Sequence, residues 1–399
     1  MEYHFSDGLR DLSPSAIREI LKYASGTDII SFAAGNPSPE AFPVDTVADI
    51  SDAILRNRPI DALQYSITEG YGPLRTHVAE RMKSVYGIGG EDDAVLITAG
   101  AQQVMSLMTK TLCNPGDVIL AEDPSFIGSL NMFRSLNAKL VGIPMQADGM
   151  DMEALKAALE QYDNVRFIYT IPNFQNPTGV TMSMEKRKQL YALAKAHGVM
   201  ILEDNPYGDL RFAGEDLPAI KTMDVDGIVT YAGSFSKVLS PGLRVGYAIG
   251  PAAVIAKMTV AKQGEDVHTN IWAQMISDEF MAGDFDSHLT YLRELYRKKA
   301  QLMMEQVEKE LVPTGIQYYP VEGGLFLWCK LPAGADMKEF CTRAVKEKKV
   351  AVVPGNAFTV DEHATSDSIR LNYSTPTDAE IVEGMARLGD LAREMFGKK

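Results

Sequence analysis

Three stretches decide the fold: VRFIYTIPNFQNPTGV (165–180), VMILEDNPYGDL (199–210) and GIVTYAGSFSKVLSPGLRVGYAIG (227–250). Each opens on a short apolar, β-rich run and breaks at a polar turn. Working outward, AVLIT (94–98), DVILA (117–121) and AKLVGI (138–143) read the same way. Helical periodicity separates the runs at 101–112, 125–136, 151–161 and 183–197. Apolar strands alternating with helices predict a mostly parallel sheet covered on both faces, an α/β architecture. Ligands of such sheets sit beyond the carboxyl ends of the strands, so the chemistry is sought there.

After this region the texture changes. Residues 251–310 are helix-rich. IQYYP (316–320), GGLFLWCKL (323–331), a helix near 337–348, VAVVPG (350–355), SIRLNYS (368–374) and a last helix at 377–396 predict a smaller α+β domain. The expected organisation is an N-terminal arm with a helix at 15–24 (1–40), a large domain (41–290) and a small C-terminal domain (291–399). The length of 399 residues suits two domains.

Composition narrows the function. The formal net charge of −14 disfavours nucleic acid or an anionic membrane as partner, because both select a basic surface. No run of about 18 apolar residues occurs, so no membrane span is expected. The start, MEYHFSDGLRDLSPS, lacks the basic-then-apolar pattern of a signal peptide. Cys113, Cys329 and Cys341 are far apart and odd in number, which suits neither a disulfide framework nor a metal site. Cys113 and Cys329 lie in apolar runs and are expected to be buried, in a protein of the reducing cytoplasm. The histidines show no zinc-ligand spacing, and no metal is expected.

The polar residues at strand ends carry the chemistry. Asp204 closes VMILED. Ser234, Ser236 and Lys237 follow a strand, with Arg244 seven residues beyond the lysine. Asn176 opens NPTG. Alone, each reads as a capping acid, a surface lysine or an ordinary loop. In this order on one sheet, Asn176, Asp204, Tyr207, Lys237 and Arg244 resemble the aspartate-aminotransferase superfamily (class I/II aminotransferases, the fold type I of pyridoxal-5′-phosphate-dependent transferases). SFSKVLSPGLRVGY (234–247) is the most specific piece, and the likeness covers nearly the whole chain.

The resemblance implies that pyridoxal 5′-phosphate (PLP) is the cofactor and that Lys237 holds it as a Schiff base. Lys237 would then shuttle the proton between substrate and cofactor. Asp204 would keep the pyridine nitrogen protonated, and Tyr207 and Asn176 would hydrogen-bond the phenolic oxygen. The turn in TAGAQQ (98–103) would bind the phosphate through Gly100, Ala101 and Gln102, completed by Ser234, Ser236 and Arg244. Ala101 stands where many members have serine, which costs one hydroxyl but leaves the backbone donor. Phe126 in AEDPSFIGS (121–129) would stack on the ring. Arg370 in SIRLNYS would grip the substrate carboxylate, helped by Asn176 and the backbone of Gly35. Tyr65 in ALQYSITEGYGPLR (62–75) would reach the phosphate of a neighbouring subunit, and HTN (268–270) would lie nearby, which implies a homodimer with shared active sites.

LSPSAIREILKYA (12–24) followed by ISFAAGNPSPEAFP (30–43) resembles the branch of 2-aminoadipate and kynurenine aminotransferases. There the N-terminal helix can cover the site, which makes Arg18 a candidate for the substrate's distal carboxylate. The expected reaction moves an amino group from an L-amino acid to a 2-oxo acid, with 2-oxoglutarate as acceptor, by a ping-pong route. β-Elimination or another lyase reaction on the same cofactor is the rival. The branch also contains MocR-type regulators, which need a winged-helix domain ahead of the PLP domain. The short, non-basic segment before FAAGNP (32–37) does not read as one. The turn after AVLIT lacks the glycines of a dinucleotide-binding motif.

Overall fold

The computed structural model describes residues 3–10, 12 and 28–397. The helix expected at 15–24, and Arg18 with it, lies outside the described residues. The strands are β1 (Ile30–Ser31), β2 (Asp93–Thr98), β3 (Val118–Asp123), β4 (Lys139–Gln146), β5 (Gly149–Met150), β6 (Val165–Thr170), β7 (Met200–Asp204), β8 (Val229–Ser234) and β9 (Gly246–Pro251). Beyond the helices Ala252–Gln263, Ile271–Ala282 and Phe285–Glu310 come β10 (Gln317–Tyr318), β11 (Phe326–Lys330), β12 (Val350–Ala351), β13 (Val353–Pro354) and β14 (Ser368–Asn372). The helix Asp378–Phe396 follows.

Eight strands form the main sheet, in the order β2-β9-β8-β7-β6-β3-β4-β5. β3, β4, β6, β7 and β8 are mutually parallel. β9 runs against both of its neighbours, and β5 against β4. The reversal of β9, in a sheet that is otherwise mostly parallel as expected, fixes the place of Arg244. That residue precedes the antiparallel strand, in a turn with φ +54°. The consequence for the site is direct. Gly246 at the start of β9 pairs with both Thr98 and Ser234, the last residues of β2 and β8. Arg244 therefore reaches the same sheet edge that carries Asp204 and the turn after β2.

Period-two alternation places the core on both faces. On β6, Phe167 and Tyr169 join one apolar cluster, and Ile168 joins the other. On β3, Ile119 and Ala121 face one way, Val118 and Leu120 the other. Each large side chain so buried contributes about 1.5–3 kcal/mol. Cys329 is buried within the first cluster. Cys113 is only half-buried, because it caps the C-terminus of the helix Ala101–Leu112, where the chain leaves the core.

A four-stranded antiparallel sheet, β10-β11-β14-β13, shares one apolar cluster with the long helix Phe285–Glu310 and the terminal helix. The terminal helix begins at a capping box, Thr377 with Glu380. β1 pairs in parallel with β12, and Asn372 N–H donates to Phe32 O. These bonds carry residues 33–36 between the two sheets. No described helix is long and apolar enough to cross a membrane.

One buried cation fixes the loop after β6. Arg187, on the helix Met184–His197, is fully buried. It donates to Met182 O, Pro218 O, Pro172 O and Asn173 Oδ1 at 2.6–3.0 Å. Arg187→Leu leaves three of these acceptors, Met182 O, Pro218 O and Asn173 Oδ1, without a donor, at about 1–3 kcal/mol each, while Pro172 O keeps the Met182 N–H. Thermal denaturation of the variant is expected to show a large loss of stability, while Arg56→Leu, in an exposed pair with Asp52, changes little. Equal small shifts in the two variants would contradict the anchoring role.

Candidate active site

A cavity of about 300 Å³ opens at the carboxyl edge of the main sheet. A larger groove of about 890 Å³ lies between Gln146 and Lys330, and none of the candidate residues line it. The smaller cavity brings together Gly35, Ala101, Gln102, Phe126, Asn176, Asp204, Tyr207, Ser234, Ser236, Lys237, Arg244 and Arg370.

Lys237 follows β8 and keeps part of its surface open to the cavity it lines. Its Nζ donates to Gly35 O at 2.7 Å. Burial pushes its ammonium down to about 8, and the Arg370 and Arg244 charges push the same way. The shift brings deprotonation of this amine closer to physiological pH, although the ammonium still predominates below about 8.

Arg370 comes from β14 and is buried. It donates to Asn176 Oδ1 at 3.0 Å, Ala33 O at 2.9 Å and Ala34 O at 3.3 Å. Its guanidinium lies 4.2 Å from the Phe326 ring centre and 5.0 Å from that of Phe358. Its Nε is buried without a partner. Three of its five N–H donors are used, and a held arginine with donors to spare suits an incoming carboxylate.

Asp204, the last residue of β7, is buried. Its Oδ2 accepts from Tyr169 at 2.8 Å, and its Oδ1 has no partner. Burial raises the carboxyl to about 7, against the hydrogen bond from Tyr169. Tyr207 is buried beside it, and Asn176 Nδ2 donates to Tyr207 Oη at 3.4 Å. Burial raises the Tyr207 phenol.

The helix Ala101–Leu112 differs from others on this sheet. Asp151 and Ser183 cap the helices Met152–Gln161 and Met184–His197 with side-chain oxygens. At Ala101 the cap residue is Gly100, which has no side chain to offer. The first backbone N–H groups are left for an anion. Gly100, at φ +75°, also admits the Arg244 guanidinium: a Cβ there would lie 2.5 Å from Arg244 Nη2. Arg244 further contacts Ser236 Oγ at 3.5 Å and Ala99 O at 3.2 Å. Ser234 Oγ accepts from Ser236 N–H.

Three sequence candidates are not among the residues that line this cavity. One is Gly100, although it abuts the Arg244 guanidinium. Tyr65 is 80% exposed, with its ring edge-on to His268 at 5.9 Å. Arg18 lies outside the described residues. Conversely, the cavity is also lined by Asn36, Met105, Ser129, Ile171 and Phe326, which the sequence did not single out. Phe326 had a signal, since it alternates with Trp328 on β11. Ser129 had none. Gly128 is a further unsuspected contributor. A Cβ there would sit 2.5 Å from the Phe126 ring, so only glycine leaves that ring its place.

Comparison with known proteins agrees with this cavity. Residues 27–388 match the family model for aminotransferase class I and II, and the chain belongs to that family. It is similar to aromatic-amino-acid aminotransferase 1 of Thermococcus litoralis, at 38% identity over all of this chain and 96% of the relative. It is 39% identical to 2-aminoadipate transaminase of Thermus thermophilus, over 96% of this chain and 95% of the relative. A crystal structure of Pyrococcus horikoshii kynurenine aminotransferase in complex with PMP superposes with a TM-score of 0.93 at 36% identity. That match covers 98% of this chain and 97% of the other.

The protein is a PLP-dependent aminotransferase of fold type I. Its cavity fits that cofactor on three observations made above: an amine near neutrality, a buried carboxylate oxygen without a partner, and an uncapped helix start beside an arginine.

Proposed function

We propose that the enzyme transfers the amino group of an L-amino acid to 2-oxoglutarate through Lys237, as a cytoplasmic homodimer. The observation that carries this reading is the Lys237 amine, held near neutrality in the same cavity as Arg370 and Asp204. Aromatic amino acids, 2-aminoadipate and kynurenine are the donors suggested by the relatives.

When bound, PLP supplies an electron sink for the bond broken at the amino acid's Cα. Lys237 would hold the cofactor through its amine and, when that amine is free, would take the substrate's Cα proton and hand it back. Asp204 Oδ1 holds a proton at the ring nitrogen. Tyr207 and Asn176 donate to the phenolic oxygen. Gly100, Ala101, Gln102, Ser234, Ser236 and Arg244 bind the phosphate. Phe126 packs on the ring, and Arg370 binds the substrate carboxylate with Asn176 and the Gly35 N–H.

The arm 1–40, the large domain 41–290 and the small domain 291–399 are our division of labour. The large domain carries the cofactor groups, and the small domain carries Arg370. Tyr65 belongs to the partner's site in this reading. It stands in an exposed apolar patch with Ile60, Leu63 and Ile67, a surface suited to a second copy. The three cysteines are free thiols, which suits a reducing cytoplasm.

Incubation of the holoenzyme with each donor and 2-oxoglutarate is expected to yield glutamate and the matching 2-oxo acid. Absence of glutamate with every donor would overturn the acceptor. The pH dependence of cofactor capture tests Lys237. Only the neutral amine attacks a carbonyl, so the capture rate is expected to rise with pH and level off above about 8. Arg370→Leu removes a neighbouring cation, raises the amine's pKa and moves that limb to higher pH. The same variant is expected to lose roughly 2–5 kcal/mol in kcat/KM for amino acids. An unmoved limb would contradict the electrostatic account.

A hybrid dimer tests the shared site. One subunit carries Lys237→Ala and the other Tyr65→Ala. If Tyr65 acts across the interface, one of the two sites has both residues intact, and half of the wild-type activity returns. Activity no better than the Tyr65→Ala homodimer would place Tyr65 elsewhere.

A further inference from the structure

Asp204 is held inside the protein by a single neutral donor. Tyr169 Oη donates to its Oδ2 at 2.8 Å, from the adjacent strand β6. Tyr169 is fully buried, with the Phe133 ring edge-on at 5.3 Å. Ser129 Oγ lies 2.8 Å from the same Tyr169 oxygen. A phenol has one hydrogen, and the carboxylate takes it, so the serine is the donor in the second bond. The hydroxyls form a directed chain, Ser129 to Tyr169 to Asp204. Ser129 also lines the cavity.

A neutral phenol has an advantage over a cation at this place. An arginine or lysine at Oδ2 would stabilise the carboxylate but cancel its charge, and with it the pull on a proton at Oδ1. A phenol stabilises the anion and leaves the charge in place. The other groups facing Asp204 give no such help. Glu122 on β3 is buried and of like charge, and Tyr207 is a phenol raised by burial. Lys237 and Arg370 stand across the cavity.

We propose that Tyr169, backed by Ser129, is a positioning residue that holds Asp204 by Oδ2, so that Oδ1 stays charged and free for the cofactor's ring nitrogen. This rests on the reading of Asp204 given above. A protonated Asp204 cannot stabilise a protonated ring nitrogen, so affinity for PLP falls as pH drops through the Asp204 pKa. Loss of the Tyr169 donor raises that pKa, and the fall begins at higher pH.

The test is the affinity for PLP of the Lys237→Ala apoprotein, in which the lysine limb is absent, titrated by absorbance from mildly acid to mildly alkaline pH, with each variant below made in that background. Tyr169→Phe is expected to move the acid limb up by about one to two pH units, with the alkaline plateau unchanged. Ser129→Ala is expected to move it in the same direction by less, and it keeps the test open if Tyr169→Phe does not fold. Asp204→Asn is expected to bind weakly at every pH, and Tyr169→Phe added to it changes nothing further. A uniform loss of affinity at all pH in Tyr169→Phe, or an unmoved limb in Ser129→Ala, would overturn the relay while leaving Asp204 in its role. Wild-type affinity in Asp204→Asn would overturn the reading of Asp204 itself.

Discussion

The cavity depends first on taking the Lys237 amine out of water, and second on the like charges placed beside it. Lys237 feels two cations, Arg370 and Arg244, and loses solvent at the same time. Both effects favour the neutral amine. The repulsion acts only because Arg370 cannot swing away. Two backbone carbonyls and Asn176 hold its nitrogens, and the Phe326 and Phe358 rings flank its guanidinium. The residues that restrain one arginine thus set the reactivity of a lysine that none of them needs to touch.

That restraint is assembled from distant parts of the chain. β14 brings Arg370, the loop after β6 brings Asn176, and the segment after β1 brings the carbonyls of Ala33 and Ala34. The β1–β12 pairing fixes the last of these. On the opposite wall, the reversal of β9 carries Arg244 to the turn after β2, and Gly100 lets the guanidinium settle there. The anion site and the amine share that arginine. A cofactor phosphate placed there would balance part of the charge that depresses Lys237, which links binding of the phosphate to the state of the amine.

The strands of the main sheet were legible because buried parallel strands are short apolar runs bounded by polar turns, as VRFIYT and VMILED are. The direction of β9 was not, since GYAIGP has the same composition whichever way it runs. Lys237, Asp204 and Arg370 were picked out by the order of their motifs and the family resemblance, since alone each reads as an ordinary strand-end or surface charge. Tyr169 was hidden for the opposite reason: a tyrosine within a β-rich run reads as core, and its hydroxyl partner lies 35 residues away on another strand. Ser129 and Gly128 act through shape and a single hydroxyl, with no local pattern to mark them. Tyr65 was read from its motif, and in the fold it is exposed and away from its own cavity.

The central claim is that one cavity, built around Lys237, carries an amino group from donor to acceptor in two separable halves. The most direct measurement mixes the PLP-loaded enzyme with an amino-acid donor and no acceptor, and counts the products. The account predicts a single burst of one 2-oxo acid per subunit, retention of the amino group on the protein, and no free ammonia at any stage, the group leaving as a new amino acid once a 2-oxo acid is added. Continuous release of ammonia without an acceptor would contradict it and would assign the cavity to elimination chemistry instead.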